Sequence, residues 1–109
     1  MKEIKAYINK RKLDSVIRVL HKVGGLTGVS VIENRGYGIG WARAIAPEQT
    51  SFQVGVKLEV ICGDNMVEKV VEAIEKAAHT GLKGDGKIYV SNIEQAVRIS
   101  TGERGEGAV

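Results

Sequence analysis

The sequence predicts an α+β domain in which two helices pack on one face of a four-stranded antiparallel sheet. Four stretches carry strand signals, either alternating polarity or many β-branched residues, and two carry apolar residues at helical spacing. Their order along the chain is strand, helix, strand, strand, helix, strand. With 109 residues and 43% hydrophobic content, the chain is expected to form one domain, spanning residues 1–109.

The first half of the chain supplies a strand, a helix and a second strand. Residues 4–9 alternate apolar and polar side chains, as in a strand with one buried face. From Leu13 to Val23 the apolar residues recur every three or four positions, the pattern of an amphipathic helix, and Gly24-Gly25 ends it. Residues 26–34 are rich in β-branched side chains and are interpreted as the second strand.

A long loop separates the second strand from the third. Gly36-Tyr37-Gly38 ends the second strand, and the segment of about residues 38–53 has no sustained period and contains Pro47. Long loops in compact domains are usually functional or disordered. Its large apolar residues, such as Trp41, fit either an anchor on the domain body or a docking group for a partner. Residues 54–60 alternate again and predict the third strand.

The second half supplies a helix and the last strand. Asp64 or Asn65 is expected to cap a helix that ends at Thr80-Gly81. Residues 88–90 predict the fourth strand, residues 96–100 a further short extended piece, and the rest a Gly- and Glu-rich tail. This order is the ferredoxin-like arrangement. Its open sheet face, expected to be apolar, would be covered by other subunits or a ligand.

Composition restricts the ligands, the cellular location and the oligomeric state that can be expected. The net charge of +3 favours anionic ligands only weakly because the basic residues are spread along the chain. The sequence has no apolar run long enough to enter a membrane and begins without a signal-peptide pattern, so a cytoplasmic location is expected. Cys62 is alone and is interpreted as a small core residue. A small aliphatic core also predicts a homo-oligomer.

The segment from Thr80 to Val90 is the candidate ligand site. Gly81, Gly84 and Gly86 allow left-handed backbone, which can turn successive N–H groups toward one point. Lys83 and Lys87 would add cations suited to nucleotide phosphates. The alternative is an ordinary glycine-rich turn whose lysines point into water.

The sequence gives weaker support to two other classes of function, an RNA-binding module and an enzyme. Arg35-Gly36-Tyr37-Gly38 matches the start of the RNP1 pattern of RNA-recognition motifs, and Tyr7 lies where a second stacking aromatic would be, but RNP1 belongs on the third strand. An enzyme is not predicted. His21 and His79 stand without a ligand cluster at metal spacing, and the sequence offers no evident nucleophile with its base.

Five segments, in order, resemble signatures of the PII signalling proteins. The resemblance covers nearly the whole chain outside the long loop. The segments are Lys12-Leu13-Asp14, Gly36-Tyr37-Gly38, Val56-Lys57-Leu58-Glu59, Gly84-Asp85-Gly86-Lys87-Ile88 and Val97-Arg98-Ile99-Ser100-Thr101-Gly102-Glu103.

This resemblance implies a homotrimeric regulator of nitrogen metabolism that binds adenine nucleotides (ATP, ADP or AMP) in three clefts between neighbouring subunits. It leaves open whether magnesium accompanies the nucleotide. The long loop, at about residues 38–53, would be the T-loop that contacts a protein target such as a membrane transporter or a metabolic enzyme. Residues 80–87 would be the B-loop and residues 97–103 the C-loop. Nucleic-acid binding and membrane insertion are not implied.

The resemblance also assigns site residues. On the phosphate side it places the segment Lys83, Gly84, Asp85, Gly86 and Lys87, and from the adjacent subunit Arg98, with Ser100 beside it on the C-loop. The base and ribose would be lined by Thr27, Gly28, Val29, Ser30 and Ile61, and the pocket closed by Tyr7, Gly36, Tyr37 and Gly38.

The chain departs from the family pattern mainly in the long loop. This loop is shorter than usual and lacks the tyrosine that is uridylylated in many members, so that modification is not expected. The glutamine and the lysine that serve 2-oxoglutarate would fall at Gly40 and Gly55, which predicts weak or absent binding of that dicarboxylate. Two family arginines would fall at Ile39 and Ser100, which predicts that ADP or AMP binds comparably to ATP.

Overall fold

The computed structural model describes residues 1–37 and 53–109. Its strands are β1 (Lys2–Asn9), β2 (Ser30–Gly36), β3 (Gln53–Cys62) and β4 (Lys87–Asn92), and its helices are α1 (Leu13–Val23) and α2 (Val67–Ala78). Short 3-10 turns occupy Lys10–Lys12, Asp64–Met66 and Glu106–Ala108. The predicted element order is confirmed. In these two ranges, none of the helices is long and apolar enough to cross a membrane.

The four strands form one antiparallel sheet in the order β2-β3-β1-β4. The register of β1 and β3 runs from Lys2 opposite Cys62 to Asn9 opposite Gly55. Strand β4 pairs with the other edge of β1, and β2 pairs with the other edge of β3. This is the ferredoxin-like topology, so the predicted fold class is confirmed.

The core lies between the sheet and the two helices. Alternate residues of β1 and β3 point into it and meet the apolar stripes of α1 and α2, which is why both periods were visible in the sequence. Among the described residues, the largest fully buried side chains are Ile4, Val16, Val56, Leu58, Val60, Val70 and Ile74. Cys62 is also buried, as predicted, and burial raises the pKa of its thiol.

The other face of the sheet is mixed, so the prediction of an apolar open face holds only in part. Glu3 pairs with Lys5 at 3.3 Å, and Lys57 pairs with Glu59 at 2.9 Å. Ile32, which lies opposite Lys57, shares this face and is exposed. The strand period explains the mixture, because each residue that points into the core leaves its neighbours, charged or apolar, on the opposite face.

Two predictions about extended segments also need correction. Strand β2 begins at Ser30, because residues 26–29 are still crossing from the helix layer, with Leu26 and Val29 packed against the core. Residues 96–100 do not form a strand. They are one side of a short hairpin whose single bridge joins Val97 to Arg104.

The predicted side-chain cap of the second helix was wrong as well. Asp64 opens the 3-10 turn that precedes α2, and its carboxylate accepts a hydrogen bond of 3.0 Å from the terminal amine of Met1. Met66, the residue before α2, makes no capping hydrogen bond with its side chain.

Candidate functional site

The segment of residues 80–87, here called the glycine loop, connects α2 to β4. Helix α2 ends at Ala78, and the N–H of its C-cap residue, His79, still donates to the carbonyl of Glu75 at 3.0 Å. The loop then uses positive φ at Gly81 (82°), Gly84 (91°) and Gly86 (101°). The left-handed backbone expected of these three glycines is therefore confirmed.

The carboxylate of Asp85 stabilises the conformation of the glycine loop through hydrogen bonds within the loop. It accepts hydrogen bonds from the N–H groups of Thr80 at 2.8 Å and Gly81 at 3.2 Å, and from the Thr80 hydroxyl. Nδ1 of His79 lies 3.5 Å from the same carboxylate. The hydrogen bond from the Thr80 hydroxyl, followed by the one from the Thr80 backbone, holds the pKa of Asp85 below its ordinary value.

This internal bracing leaves the outer part of the loop available to a ligand. Within residues 1–37 and 53–109, the N–H groups of Lys83, Gly84 and Gly86 donate no hydrogen bond. The side chains of Lys83 and Lys87 are exposed beside them. Backbone donors and two cations at one loop form the kind of concave positive surface that binds phosphate.

Gly86 fixes the loop against β1. A Cβ at this position would lie 1.6 Å from the carbonyl oxygen of Tyr7 and 2.8 Å from its carbonyl carbon. Real Cβ atoms essentially never come closer than 3.0 Å to such an atom. Glycine is therefore required here both by φ and by the close approach of two backbone segments.

The first group of predicted residues meets at a small cavity of about 70 Å³, here called the loop cavity. It is lined by Tyr7, Ile8, Asn34, Gly36, Gly55, Gly84 and Gly86. Four of these were predicted from sequence to belong to the nucleotide site. The sequence gives Gly55 a role only through the side chain it lacks, and it carries no signal that would place Asn34 in the site.

The second group meets in a separate cavity of about 280 Å³, here called the edge cavity. Its lining consists of Thr27, Gly28, Val29, Ser30, Glu59 and Ile61. All five residues predicted to line the base and ribose are present. Glu59 was missed as a site residue, although strand alternation and its place two positions before Ile61 would have put it on the same face.

Glu59 supplies an ionised acceptor to the edge cavity. Its hydrogen bond to Lys57, 2.9 Å away, keeps the pKa of the Glu59 carboxyl below its ordinary value and raises the pKa of Lys57. The carboxylate therefore stays charged at neutral pH.

The two cavities occupy different parts of the same subunit. Ser30 in the edge cavity pairs with Glu59, whereas Asn34 in the loop cavity pairs with Gly55. Four residues along a strand correspond to about 13 Å. The two groups of predicted residues therefore lie apart on the subunit.

Arg98 lies in the C-terminal hairpin and lines neither cavity. Its N–H donates to the carbonyl of Glu103, its carbonyl accepts from the N–H of Gly102, both at 2.8 Å, and its guanidinium reaches the carbonyl of Gly107 at 3.4 Å. Ser100 is exposed in the turn of that hairpin.

Tyr37 is exposed at the end of β2. Gly38, Ile39, Gly40 and most of the predicted long loop fall outside the described residues.

The structure also bears on the RNA-binding alternative. The Arg35-Gly36 part of the RNP1-like segment ends β2, which is an edge strand and not a central one.

A cleft of about 420 Å³, not anticipated from sequence, lies on the helix side of the glycine loop, between Ile74 and Ala78 of α2 and Ile88 of β4.

Comparison with known proteins identifies a family. The family model described as Nitrogen regulatory protein P-II matches residues 1–103. Proteins of that name from Mesorhizobium japonicum, Bradyrhizobium diazoefficiens and Azospirillum brasilense are 48%, 46% and 44% identical to this chain. Each alignment covers the full length of both proteins.

Proposed function

Because this chain belongs to the nitrogen regulatory protein P-II family, we propose that it is a homotrimeric signalling protein that binds adenine nucleotides between its subunits. The ligands are ATP, ADP or AMP. One observation carries the proposal. The residues predicted for the two sides of a nucleotide site gather into two compact half-sites, which lie apart on one chain.

The glycine loop is the half-site for the phosphates. The hydrogen bonds of Asp85 and the close approach of Gly86 to Tyr7 fix the backbone of the loop, and with it the outer N–H groups. A polyphosphate needs donors and cations that are already in place, because ordering them on binding would reduce affinity.

The edge cavity is the half-site for the base and ribose. Val29 and Ile61 provide apolar contacts for the base, while Thr27, Ser30 and Glu59 provide polar groups. A rotation axis that brings the edge cavity of one subunit against the glycine loop of the next completes a cleft, and closed three-fold symmetry repeats it three times. Arg98 then reaches the phosphates from the neighbouring hairpin.

The same proposal accounts for the expected ligand preferences. Ser100 stands where a second arginine would face the outer phosphates, so ADP and AMP bind comparably to ATP. Gly55 contributes no side chain to the loop cavity, and within residues 1–37 and 53–109 no Lys or Arg lines it. A dicarboxylate such as 2-oxoglutarate would lack a cationic partner there, which is unfavourable for a buried carboxylate.

Residues 38–53 are the segment proposed to contact a protein target, a membrane transporter or a metabolic enzyme, without control by uridylylation. A deletion of residues 41–50 tests this part. It should abolish target binding and leave the trimeric state and the nucleotide affinity unchanged. A deletion mutant that still binds the target would contradict the assignment.

Subunit mixing tests the nucleotide site. Lys87→Ala weakens the phosphate side, and Arg98→Ala weakens the neighbour's side, so each variant alone should bind nucleotide poorly in calorimetric titration. Trimers refolded from an equal mixture should regain wild-type affinity in about a quarter of their clefts, since only a cleft with both native sides is intact.

Lys69→Ala, on the exposed face of α2, is the matched control and should bind normally. If the mixture binds no better than the two parent variants, the two residues do not meet across an interface, and the proposed cleft is wrong.

A further inference from the structure

Asp85-Gly86 is the one aspartate–glycine pair in the sequence, and no asparagine precedes a glycine. The backbone nitrogen that follows an aspartate can attack Cγ of its side chain and close a succinimide ring. Glycine favours this ring closure, because it has no Cβ to hinder the nitrogen and its backbone reaches conformations that other residues rarely adopt. Asp14 and Asp64 precede a serine and an asparagine, so the chain offers this reaction one favoured place.

The glycine loop leaves both reacting groups accessible. Within residues 1–37 and 53–109, the N–H of Gly86 donates no hydrogen bond. Gly86 is exposed, and the side chain of Asp85 keeps 25% of its exposure. The nitrogen is therefore not engaged by another group, and water can reach the carboxyl group.

The hydrogen bonds of Asp85 restrain the reaction. Its carboxylate accepts from the N–H groups of Thr80 at 2.8 Å and Gly81 at 3.2 Å, and from the Thr80 hydroxyl. The bond from the Thr80 hydroxyl, followed by those of the backbone, also holds the pKa of Asp85 below its ordinary value. An ionised carboxylate is a poor electrophile, since one oxygen must leave as water. Ring closure therefore requires the loop to open locally, and its rate follows the population of the open form.

We propose that Asp85-Gly86 is a site of spontaneous modification, at which the glycine loop converts to isoaspartate at a rate set by these hydrogen bonds. A bond forms between the Gly86 nitrogen and Cγ of Asp85, and one carboxyl oxygen leaves as water with the proton of that nitrogen and one from solvent. Water then adds to the main-chain carbonyl carbon of Asp85 and breaks its bond to the nitrogen. The water lost is regained, so the product is an isomer.

Isoaspartate changes both features that shape the loop. The main chain now passes through Cβ and Cγ of Asp85 and is one carbon longer, while the remaining carboxylate is attached directly to Cα. This shorter side chain no longer reaches Thr80 in the same way, and the longer backbone disturbs the close approach of Gly86 to Tyr7. The resulting loss of phosphate binding rests on the proposed function, whereas the modification itself does not.

The first experiment incubates the full chain without nucleotide at physiological temperature and pH and digests samples with trypsin over several weeks. Cleavage after Lys83 and Lys87 releases Gly-Asp-Gly-Lys, whose aspartyl and isoaspartyl forms are distinguished by chromatography against synthetic standards. Asp14 and Asp64 fall in other tryptic peptides and serve as internal controls. Isoaspartate should accumulate at Asp85 faster than at either control. Its absence at Asp85, or equal accumulation at all three aspartates, would overturn the proposal.

Thr80→Val tests whether the hydrogen bonds set the rate. It removes the hydroxyl donor and should accelerate isomerisation about tenfold, the change in local opening expected when one hydrogen bond to a charged group is lost. Thr101→Val is the matched control. The Thr101 hydroxyl accepts from the N–H of Glu103 at 3.2 Å in the C-terminal hairpin, and its loss should leave the rate unchanged. A wild-type rate in Thr80→Val, or equal acceleration in both variants, would refute control by the bracing of Asp85.

The same incubation with saturating ATP separates this inference from the proposed function. Phosphates held by the glycine loop should slow isomerisation, because nucleotide binds the closed loop and opposes its opening. Isomerisation at Asp85 that proceeds equally with and without ATP would refute the phosphate site and retain the modification. Tight ATP binding in calorimetry, with no isoaspartate at Asp85 in either wild type or Thr80→Val, would refute the modification alone.

Discussion

Replacing Gly86 with alanine should show how much the geometry of the glycine loop contributes to nucleotide affinity, apart from its contribution to the stability of the fold. The new Cβ would lie 1.6 Å from the carbonyl oxygen of Tyr7, in a backbone conformation with φ of 101°. That contact must lengthen to at least 3.0 Å, so the loop must move away from β1 by more than an ångström. Tyr7 lies within a paired strand, and the loop is the more easily displaced of the two.

The expected magnitude has two parts. A side chain forced into a sparsely populated backbone region costs about 1–3 kcal/mol of folding free energy. Displacement of the loop also removes at least one hydrogen bond from a backbone N–H to a charged phosphate, worth about 1.5–3 kcal/mol. The second part corresponds to a rise in the nucleotide dissociation constant of about 10- to 150-fold.

The assay pairs calorimetric nucleotide titration with urea unfolding, and Gly24→Ala is the matched control. Gly24 also has positive φ, 72°, but a Cβ there would meet nothing within 4 Å. The control should lose about 1–2 kcal/mol of stability, the usual penalty for left-handed backbone, and bind nucleotide normally. Wild-type affinity in Gly86→Ala, or equal losses of affinity in both variants, would refute the argument that contact with Tyr7 positions the loop.

Three further outcomes follow. Leu58→Ala, at a fully buried position, should cost about 2–5 kcal/mol in urea unfolding without changing nucleotide affinity below the transition. Asp85→Asn should weaken nucleotide binding, because an amide is a poorer acceptor for the bonds that brace the loop; unchanged affinity would limit Asp85 to a passive role. Because the pKa of Asp85 is lowered in the fold, its stabilising effect is complete above the unfolded pKa of about 3.9. That effect is lost as pH falls through the folded pKa. The melting midpoint of Asp85→Asn should therefore depend less on pH in this acid range than the midpoint of the wild type.

The fold could be predicted from sequence wherever one face of an element is buried. Strands β1 and β3 and both helices show their periods because the core selects apolar residues at every second, third or fourth position. Residues 26–29 were wrongly predicted to belong to a strand, because β-branched residues suit a segment packed on the core as well as a strand. Residues 96–100 lack a partner strand, and pairing across a hairpin is set by distant residues that local propensity does not report.

The residues of the candidate site also divide into those that local sequence predicts and those that it does not. The glycines of the loop were predictable because their requirement is local, a backbone conformation that other residues rarely adopt. Asn34 and Glu59 were missed because their importance depends on what faces them across the sheet. Asn34 matters because Gly55 is opposite, and Glu59 because Ser30 is opposite. Cross-strand pairing of this kind depends on register, which a single sequence specifies only indirectly.

The separation of the half-sites has a consequence for regulation. If each nucleotide contacts the glycine loop of one subunit and the edge cavity of the next, an isolated subunit offers only part of the contacts, and nucleotide must bind the trimer more tightly than the monomer. Linkage then requires nucleotide to stabilise the trimer by the same free energy. Dilution below the trimer dissociation constant should therefore lower apparent nucleotide affinity, and saturating nucleotide should shift dissociation to lower protein concentration. An affinity independent of protein concentration across trimer dissociation would mean that one subunit holds the whole site, and would refute the proposed cleft between subunits.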